Sequence, residues 1–363
     1  MISNALVVQT LATFVKIAIL AGMAFNVAPI MTWVERRQMA YTQRRLGPNR
    51  VGIFGFRVMG LIQPLADTLK LLFKEDFFPT NVNRLFYFLA PVIVSTTAMM
   101  ALMAIPFGSS VTLFGETIDL RVVNLNVGFL YLFAMSGLGV YGVALAGWAS
   151  NNKYALLGGL RSSAQMISYE LAMGLSFVPP ILIYGTLDLQ EIIHAQAVGL
   201  WGFIYAPVSC LIFTITMFAE TNRLPFDLAE GESELVAGFL VEYGGMRWSQ
   251  FFLGEYTMMF VLALLNVCLY FGGYELPFLP SARLNELLQT FIIPEIAQWV
   301  VVLLNLAVLV AKVALFMILF AQVRFTLPRF RYDQLMRIGW YALIPLALLN
   351  IVVTALVAGI VHF

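Results

Sequence analysis

Apolar runs of 18 or more residues recur from one end of the chain to the other, each long enough to cross roughly 30 Å of hydrocarbon as a helix. Lipid offers no water to satisfy backbone amides and carbonyls, so such a chain is restricted to structures that close their hydrogen bonds internally. The expected fold is an all-α polytopic membrane protein, a single integral membrane domain over residues 1–363 with about eight transmembrane helices. The spans are expected near 9–33, 85–107, 127–147, 165–184, 201–219, 251–272, 296–322 and 339–361. The amino terminus MISNALVVQT has neither a basic stretch nor a small-residue cleavage pattern, so the first span is expected to stay in the mature protein.

Orientation follows from the 21 Lys and Arg. Segments 34–84, 148–164, 220–250 and 323–338 hold 17 of them, the opposite loops hold Arg121 and Arg283, and Lys16 and Lys312 lie inside spans. The positive-inside rule assigns these four loops to the cytoplasm, or to an organelle matrix, and both termini to the outer side. Lys16 is close enough to a helix end to snorkel, which leaves Lys312 as the deepest ionisable group. No basic run or zinc spacing points to nucleic acid.

Cys210 and Cys268 stand apart in two spans, and His194 and His362 are the only histidines. An iron–sulfur cluster takes about four thiolates, and neither a CxxC nor a paired-histidine pattern is present for haem or zinc. Any redox electrons must be carried by a partner, and no metal site is expected here. Both cysteines read as small buried hydrophobes, and both histidines as exposed outer-side residues.

The inner segments carry the polar information. VERRQMAYTQRRLGPNRVGIFGF, residues 34–56, is basic and ends in a Gly47–Pro48 turn signal. It reads either as an anchor on anionic headgroups or as a positively lined mouth. In FRVMGLIQPLADTLKLLFKEDF, apolar residues from Val58 to Phe73 recur at helical spacing opposite Gln63, Asp67, Lys70 and Lys74, the pattern of a helix lying on the membrane surface. Asp67 sits near its middle, away from the amino end where it would serve the helix dipole. In GGLRSSAQMISYE, Glu170 falls a turn or more inside a span, where an ionised carboxylate costs roughly 2.5–3.5 kcal/mol on insertion scales. It must be protonated, paired with Arg161 or in contact with water.

AETNRLPFDLAEGESELVAGFLVEY, residues 219–243, concentrates six carboxylates in a chain of which only 11% is charged: Glu220, Asp227, Glu230, Glu232, Glu234 and Glu242. Asp227, Glu230 and Glu234 follow an i, i+3, i+7 pattern, so a helix would stack them on one face and they would titrate as a coupled set. That suits a proton relay. A solvated loop is the plainer reading, but the interleaved apolar residues argue for a segment folded back into protein or membrane. Glu255 could continue the line.

Five stretches in this order resemble one family: ERRQMAYTQRRLGPNRVG, QPLADTLKLLFKE, GWASNNKYALLGGLRSSAQMISYE, AETNRLPFDLAEGESELVAGFLVEY and RFRYDQLM. Nearly the whole chain is similar to the quinone-chamber membrane subunit of respiratory complex I, known as the H subunit in bacteria and as subunit 1 in mitochondria. The resemblance implies a translocase subunit that takes quinone as substrate, with iron–sulfur clusters and flavin on partners and NADH as the donor. It implies soluble iron–sulfur and quinone-site subunits of a peripheral arm, small membrane subunits, antiporter-like subunits and lipid as partners, in a bacterial inner membrane. By residue it places Glu35, Arg36, Arg37, Arg44 and Asp67 near the chamber or its entrance. Phe226, Asp227, Glu230, Glu232 and Glu234 belong on the loop lining it, and Glu170, Glu220 and Glu255 begin an acidic path for protons.

Two other classes fit the same composition: a stand-alone cation or proton transporter, and the membrane anchor of an energy-converting hydrogenase. The first usually shows repeated halves, and no internal repeat is evident.

Overall fold

The structure is a computed structural model and describes residues 4–361 apart from 53, 54, 56, 114, 115, 229, 230, 232–234, 278, 291 and 292. Among the described residues seven helical stretches are long and apolar enough to cross a membrane. Six are α1 (Asn4–Thr42), α3 (Arg84–Leu102), α4 (Gly128–Ala149), α5 (Lys153–Tyr184), α9 (Gly245–Tyr270) and α11 (Pro294–Thr326). The seventh runs from α12 (Tyr332–Arg337) through a π-helical turn, Ile338–Leu343, into α13 (Ile344–Val361). Shorter helices are α2 (Gln63–Phe73), α6 (Leu189–Val198), α7 (Gly202–Tyr205), α8 (Pro207–Glu220) and α10 (Ser281–Gln289). Strands β1 (Val111–Leu113) and β2 (Glu116–Ile118) form an antiparallel hairpin in register Val111 to Ile118.

The expected span at 201–219 is corrected to a broken helix. Ala206 leaves helical geometry at φ −132°, ψ 61°, between α7 and α8. Pro207 disfavours helix at the residue before it and supplies no amide hydrogen, so the break is written in the sequence. At 1.5 Å per residue, α8 alone covers about 21 Å. Glu220, at its C-terminal end, is buried inside the protein.

Helix α5 is the central packing element. The Asn152 side chain accepts a hydrogen bond from the Tyr154 amide at its start, and Gly185 closes it in the left-handed conformation at φ +69°. A Cβ at Gly158 would come within 2.5 Å of the Gly238 backbone, so glycine lets the acidic segment lie directly on α5. Phe177 on α5 meets Phe129 of α4 at 4.2 Å and Phe213 of α8 at 5.2 Å. Aromatic edges such as these join three helices into one core.

The in-span lysines are bonded to backbone. Lys16 Nζ donates to the Asp119 and Arg121 carbonyls, both at 3.0 Å, tying α1 to the chain just after the hairpin. Lys312 Nζ donates to the carbonyls of Phe271, Gly273 and Glu275 at 2.7–2.8 Å, using all three of its hydrogens on the chain that leaves α9. Cys268 is buried and Cys210 half-buried. The expectation of a merely exposed His194 is refined: its ring lies 3.8 Å from the fully buried Glu275 and 3.5 Å from the Tyr274 hydroxyl. His362 lies outside the described residues.

Candidate functional site

A cavity of about 730 Å³ opens between α1, α2, α3, α9 and the C-terminal end of α11. Its walls are largely apolar, with Phe25, Met99 and Leu253 among them, and its polar end holds Glu35, Arg36, Asp67, Tyr256 and Arg324. Arg36 Nη1 meets Asp67 Oδ2 at 2.6 Å, which binds α1 to the surface helix α2, and Gln63 donates to the other Asp67 oxygen at 3.2 Å. The helix starts at Gln63 with Pro64 in its first turn, so Val58, Leu61 and Ile62, expected on its apolar face, belong to the approach. Beyond α2, Asp76 pairs with Arg247 at 2.6 Å while the guanidinium stacks 3.8 Å from the Phe78 ring. These contacts hold α2 at its middle and just past its C-terminal end, and α2 gives the cavity a floor.

At the polar end the charges are paired, with Glu35 and Arg223 buried. Glu35, 7% exposed, accepts from Arg324 Nη1 at 2.6 Å and from the Tyr256 hydroxyl at 2.9 Å. Its other oxygen lies 3.6 Å from Arg223 Nη1, and Arg223 Nη2 lies 3.4 Å from Glu255 Oε2. The Arg223 guanidinium also sits 4.2 Å from the Tyr256 ring centroid. Two guanidiniums and two carboxylates thus alternate from the cavity inward, a charge balance that makes burial tolerable. Arg223 comes from the turn after α8, Arg324 from the end of α11, and Glu255 and Tyr256 from α9.

A second, smaller cavity of about 60 Å³ continues the line; Glu220, Asn222, Glu255, Thr97 and Ser136 line it. About 10–15 Å³ suffices for one water, so a few can fit. Glu220 is 2% exposed, and among the described residues neither of its carboxylate oxygens meets a hydrogen-bond donor. Glu170 is on α5. It packs against α4 where Gly137 has no side chain: a Cβ there would reach 2.5 Å from Glu170 Oε1. Arg161 and Glu170 do not form the ion pair considered from sequence; Arg161 lies 5.7 Å from the Tyr332 ring centroid.

The stretch from Asp227 to Glu234, which would stack three carboxylates if helical, lies largely outside the described residues. Residues 221–228 form turns, because Pro225 interrupts the ladder and the chain is held by tertiary contacts instead. Buried Gln165 donates to the carbonyls of Ala219 and Phe226, both at 2.8 Å, and the Phe330 amide donates to the Pro225 carbonyl at 3.1 Å. Asp227 pairs with Arg329 at 2.8 Å, and Phe226 packs against Tyr169 and Phe330 at 5.4 and 5.6 Å. At the far end Glu242 accepts from Asn152 Nδ2 at 2.7 Å. Glu230, Glu232 and Glu234 lie outside the described residues.

Two basic residues stand away from this line. Arg44 is exposed in the turn after α1, at φ +53°. Arg37 follows Arg36 by about 100° of helix rotation, and it lines a separate groove on the opposite face of α1.

The NADH dehydrogenase family model matches residues 15–355. The chain is 47% identical over 339 residues to the second H subunit of the NADH-quinone oxidoreductase of Geobacter sulfurreducens, covering 93% of this chain and 94% of that one. It is 42% identical to the NADH-quinone oxidoreductase H subunit of Flavobacterium johnsoniae, covering 94% of each. The chain belongs to the family of NADH-quinone oxidoreductase H subunits. Similarity of this extent favours that family over the hydrogenase-anchor and transporter readings.

For a chain of this family the sequence alone points to most carboxylates of the line but not to the groups that join them. Arg223 stands out only as the lone base of the acidic segment, and neither Arg324 nor Tyr256 is marked by its surroundings in the chain. Gln165 carries a partial signal, a polar residue at span depth between small neighbours. The partnership of Glu35 with Arg324 carries none, since it depends on which helices meet.

Proposed function

We propose that this chain forms the membrane-side quinone chamber of its enzyme and passes the consequence of quinone reduction inward through buried charge. As a member of the H-subunit family it is a membrane subunit of an NADH-quinone oxidoreductase, within a multi-subunit complex. The iron–sulfur and flavin centres belong to soluble partners. Small and antiporter-like membrane subunits complete the proton machinery. The membrane is the bacterial inner membrane, with both termini outside.

One observation carries the reading: the polar end of the 730 Å³ cavity is the same Glu35 that is linked through Arg223 to Glu255 and the inner cavity. A quinone suits this shape, with its isoprenoid tail on the apolar walls and its carbonyl oxygens near Arg36, Arg324 and the Tyr256 hydroxyl. Reduction to quinol consumes protons with the electrons. A proton gained or lost at Glu35 would change what Arg223 is held by, and Arg223 would then shift its attraction toward or away from Glu255. Glu255 shares the inner cavity with Glu220, so the change reaches a carboxylate whose oxygens meet no donor among the described residues. Glu170 on α5 is the next carboxylate of the proposed path. Asp227 and the acidic segment belong to the chamber wall facing the soluble partners.

Filling the cavity tests the proposal. Thr32→Trp places an indole among its lining residues. The Michaelis constant for a short-chain quinone should rise at least tenfold in the assembled enzyme, with electron flow to a water-soluble acceptor unchanged. Unaltered quinone kinetics would move the chamber elsewhere.

A further inference from the structure

The groove lined by Arg37 has a volume of about 710 Å³ and lies between α1 and α11 with α9 at its base. On α1 its stripe is Met23, Val27, Ile30, Val34 and Arg37, spaced four, three, four and three residues apart, and on α11 it includes Val310 and Val313. From Met23 to Arg37 the groove runs about 21 Å, longer than the ~15 Å of one leaflet's hydrocarbon. Its body is apolar and its inner end is not. There Arg37 stacks 5.6 Å from the Trp33 ring, and Trp33 and Tyr41 supply the aromatic rim typical of a membrane interface. Gln38 bridges to Gln322 at 2.7 Å and seals α1 to α11 above the groove.

The electrostatics differ from those of the first cavity. That cavity is lined by Glu35 and Asp67, whereas no carboxylate lines this groove among the described residues. Arg37 has no carboxylate partner among the described residues: Nη2 donates to the Met59 carbonyl at 2.7 Å, and buried Nε meets no acceptor. An unneutralised guanidinium at the head of a 21 Å apolar slot fits an anion carrying a hydrocarbon chain. The charge favours a lipid over a partner helix: one guanidinium with no carboxylate partner among the described residues heads a groove that is otherwise mostly apolar.

We propose that this groove is a phospholipid site of the inner leaflet, with one acyl chain between α1 and α11 and the phosphate of an anionic headgroup on Arg37. Arginine suits the role because its fork binds phosphate bidentately and is weakly hydrated. The site also bears on the chamber. Arg37 and the Trp33 indole both hold the Met59 carbonyl, just before α2, so a headgroup on Arg37 would brace the approach to the surface helix.

The test uses the assembled enzyme with a photoreactive phenylalanine analogue in place of Val310, a position 54% exposed. The enzyme is placed in vesicles of mixed phosphatidylglycerol and phosphatidylcholine, irradiated, and the adduct identified by mass. The expected adduct is phosphatidylglycerol at severalfold above its share of the bilayer, and Arg37→Gln should return it to that share. Ala314→Trp, which fills the groove without touching Arg37, should remove the adduct. Cross-linking to a protein or to quinone, or lipid adducts in simple proportion to bulk composition, would overturn the proposal. Quinone kinetics are read separately, so failure here is distinguishable from failure of the chamber reading.

Discussion

Arg324 Nη1 stands 2.6 Å from Glu35 Oε2, although 289 residues separate them along the chain. The pair sits where the large cavity ends and the inward charge line begins, so it belongs to both. Each helix that supplies a member, α1 and α11, also walls the lipid-side groove on its other flank.

Arg324→Met should therefore be costly to turnover. Removing one partner of a fully buried pair costs about 3–5 kcal/mol. The Arg324 side chain is 30% exposed, and Glu35 keeps Tyr256 and Arg223, so roughly half that loss is expected. Quinone reduction should fall tenfold or more while electron flow to a water-soluble acceptor persists, and Arg324→Lys should recover only part of it. Wild-type kinetics in Arg324→Met would show that the pair does not serve the quinone.

Glu220→Gln preserves shape and burial but cannot carry a proton. Since no protein donor meets Glu220 among the described residues, the substitution breaks no hydrogen bond of the fold there. The enzyme is expected to assemble normally, as read by native electrophoresis, and to lose at least tenfold of its proton translocation in vesicles. Loss of assembly instead would assign Glu220 a structural task.

Gln165→Met removes the donor shared by the Ala219 and Phe226 carbonyls while keeping the volume. Leaving a buried acceptor unsatisfied costs about 1–3 kcal/mol, so the turns at 221–228 should loosen. Faster thermal inactivation of quinone reduction is the expected result, accompanied by easier proteolysis of that segment. Unchanged stability would mean that water or another group replaces the amide.

Lys312→Met separates two explanations of a deep lysine. A proton carrier would be missed in pumping, whereas a cap on the chain leaving α9 would be missed in folding. Its three bonds to carbonyls predict the second outcome. Assembled yield should drop severalfold, with protons translocated per electron unaltered in the enzyme that does assemble. The opposite pattern would make Lys312 part of the proton machinery.

How far the sequence can be read depends on the range of the interaction. Runs of apolar residues mark α1, α3 and α11 because span length is a local property. The break in the expected 201–219 helix is equally local, visible in Pro207, but a continuous apolar composition masks it. The acidic segment is legible only at its start: Pro225 and the tertiary hold of Gln165 and Arg329 make turns of residues 221–228, while two of the three carboxylates at helical spacing lie outside the described residues. Glu35 and Asp67 can be picked out through resemblance. That Arg37 faces away from them follows from helix rotation once the neighbouring helices are known, and the contact of buried Glu275 with His194 depends likewise on tertiary packing.

The most direct test of the chamber is photolabelling of the intact, active complex with a photoreactive quinone, followed by mapping of the labelled peptides. Label that free quinone competes away is predicted on the cavity walls, at Phe25–Met39 of α1, Pro64–Leu71 of α2 and Met246–Tyr256 of α9. Competed label confined to other helices or other subunits, with these peptides unmodified, would contradict the account.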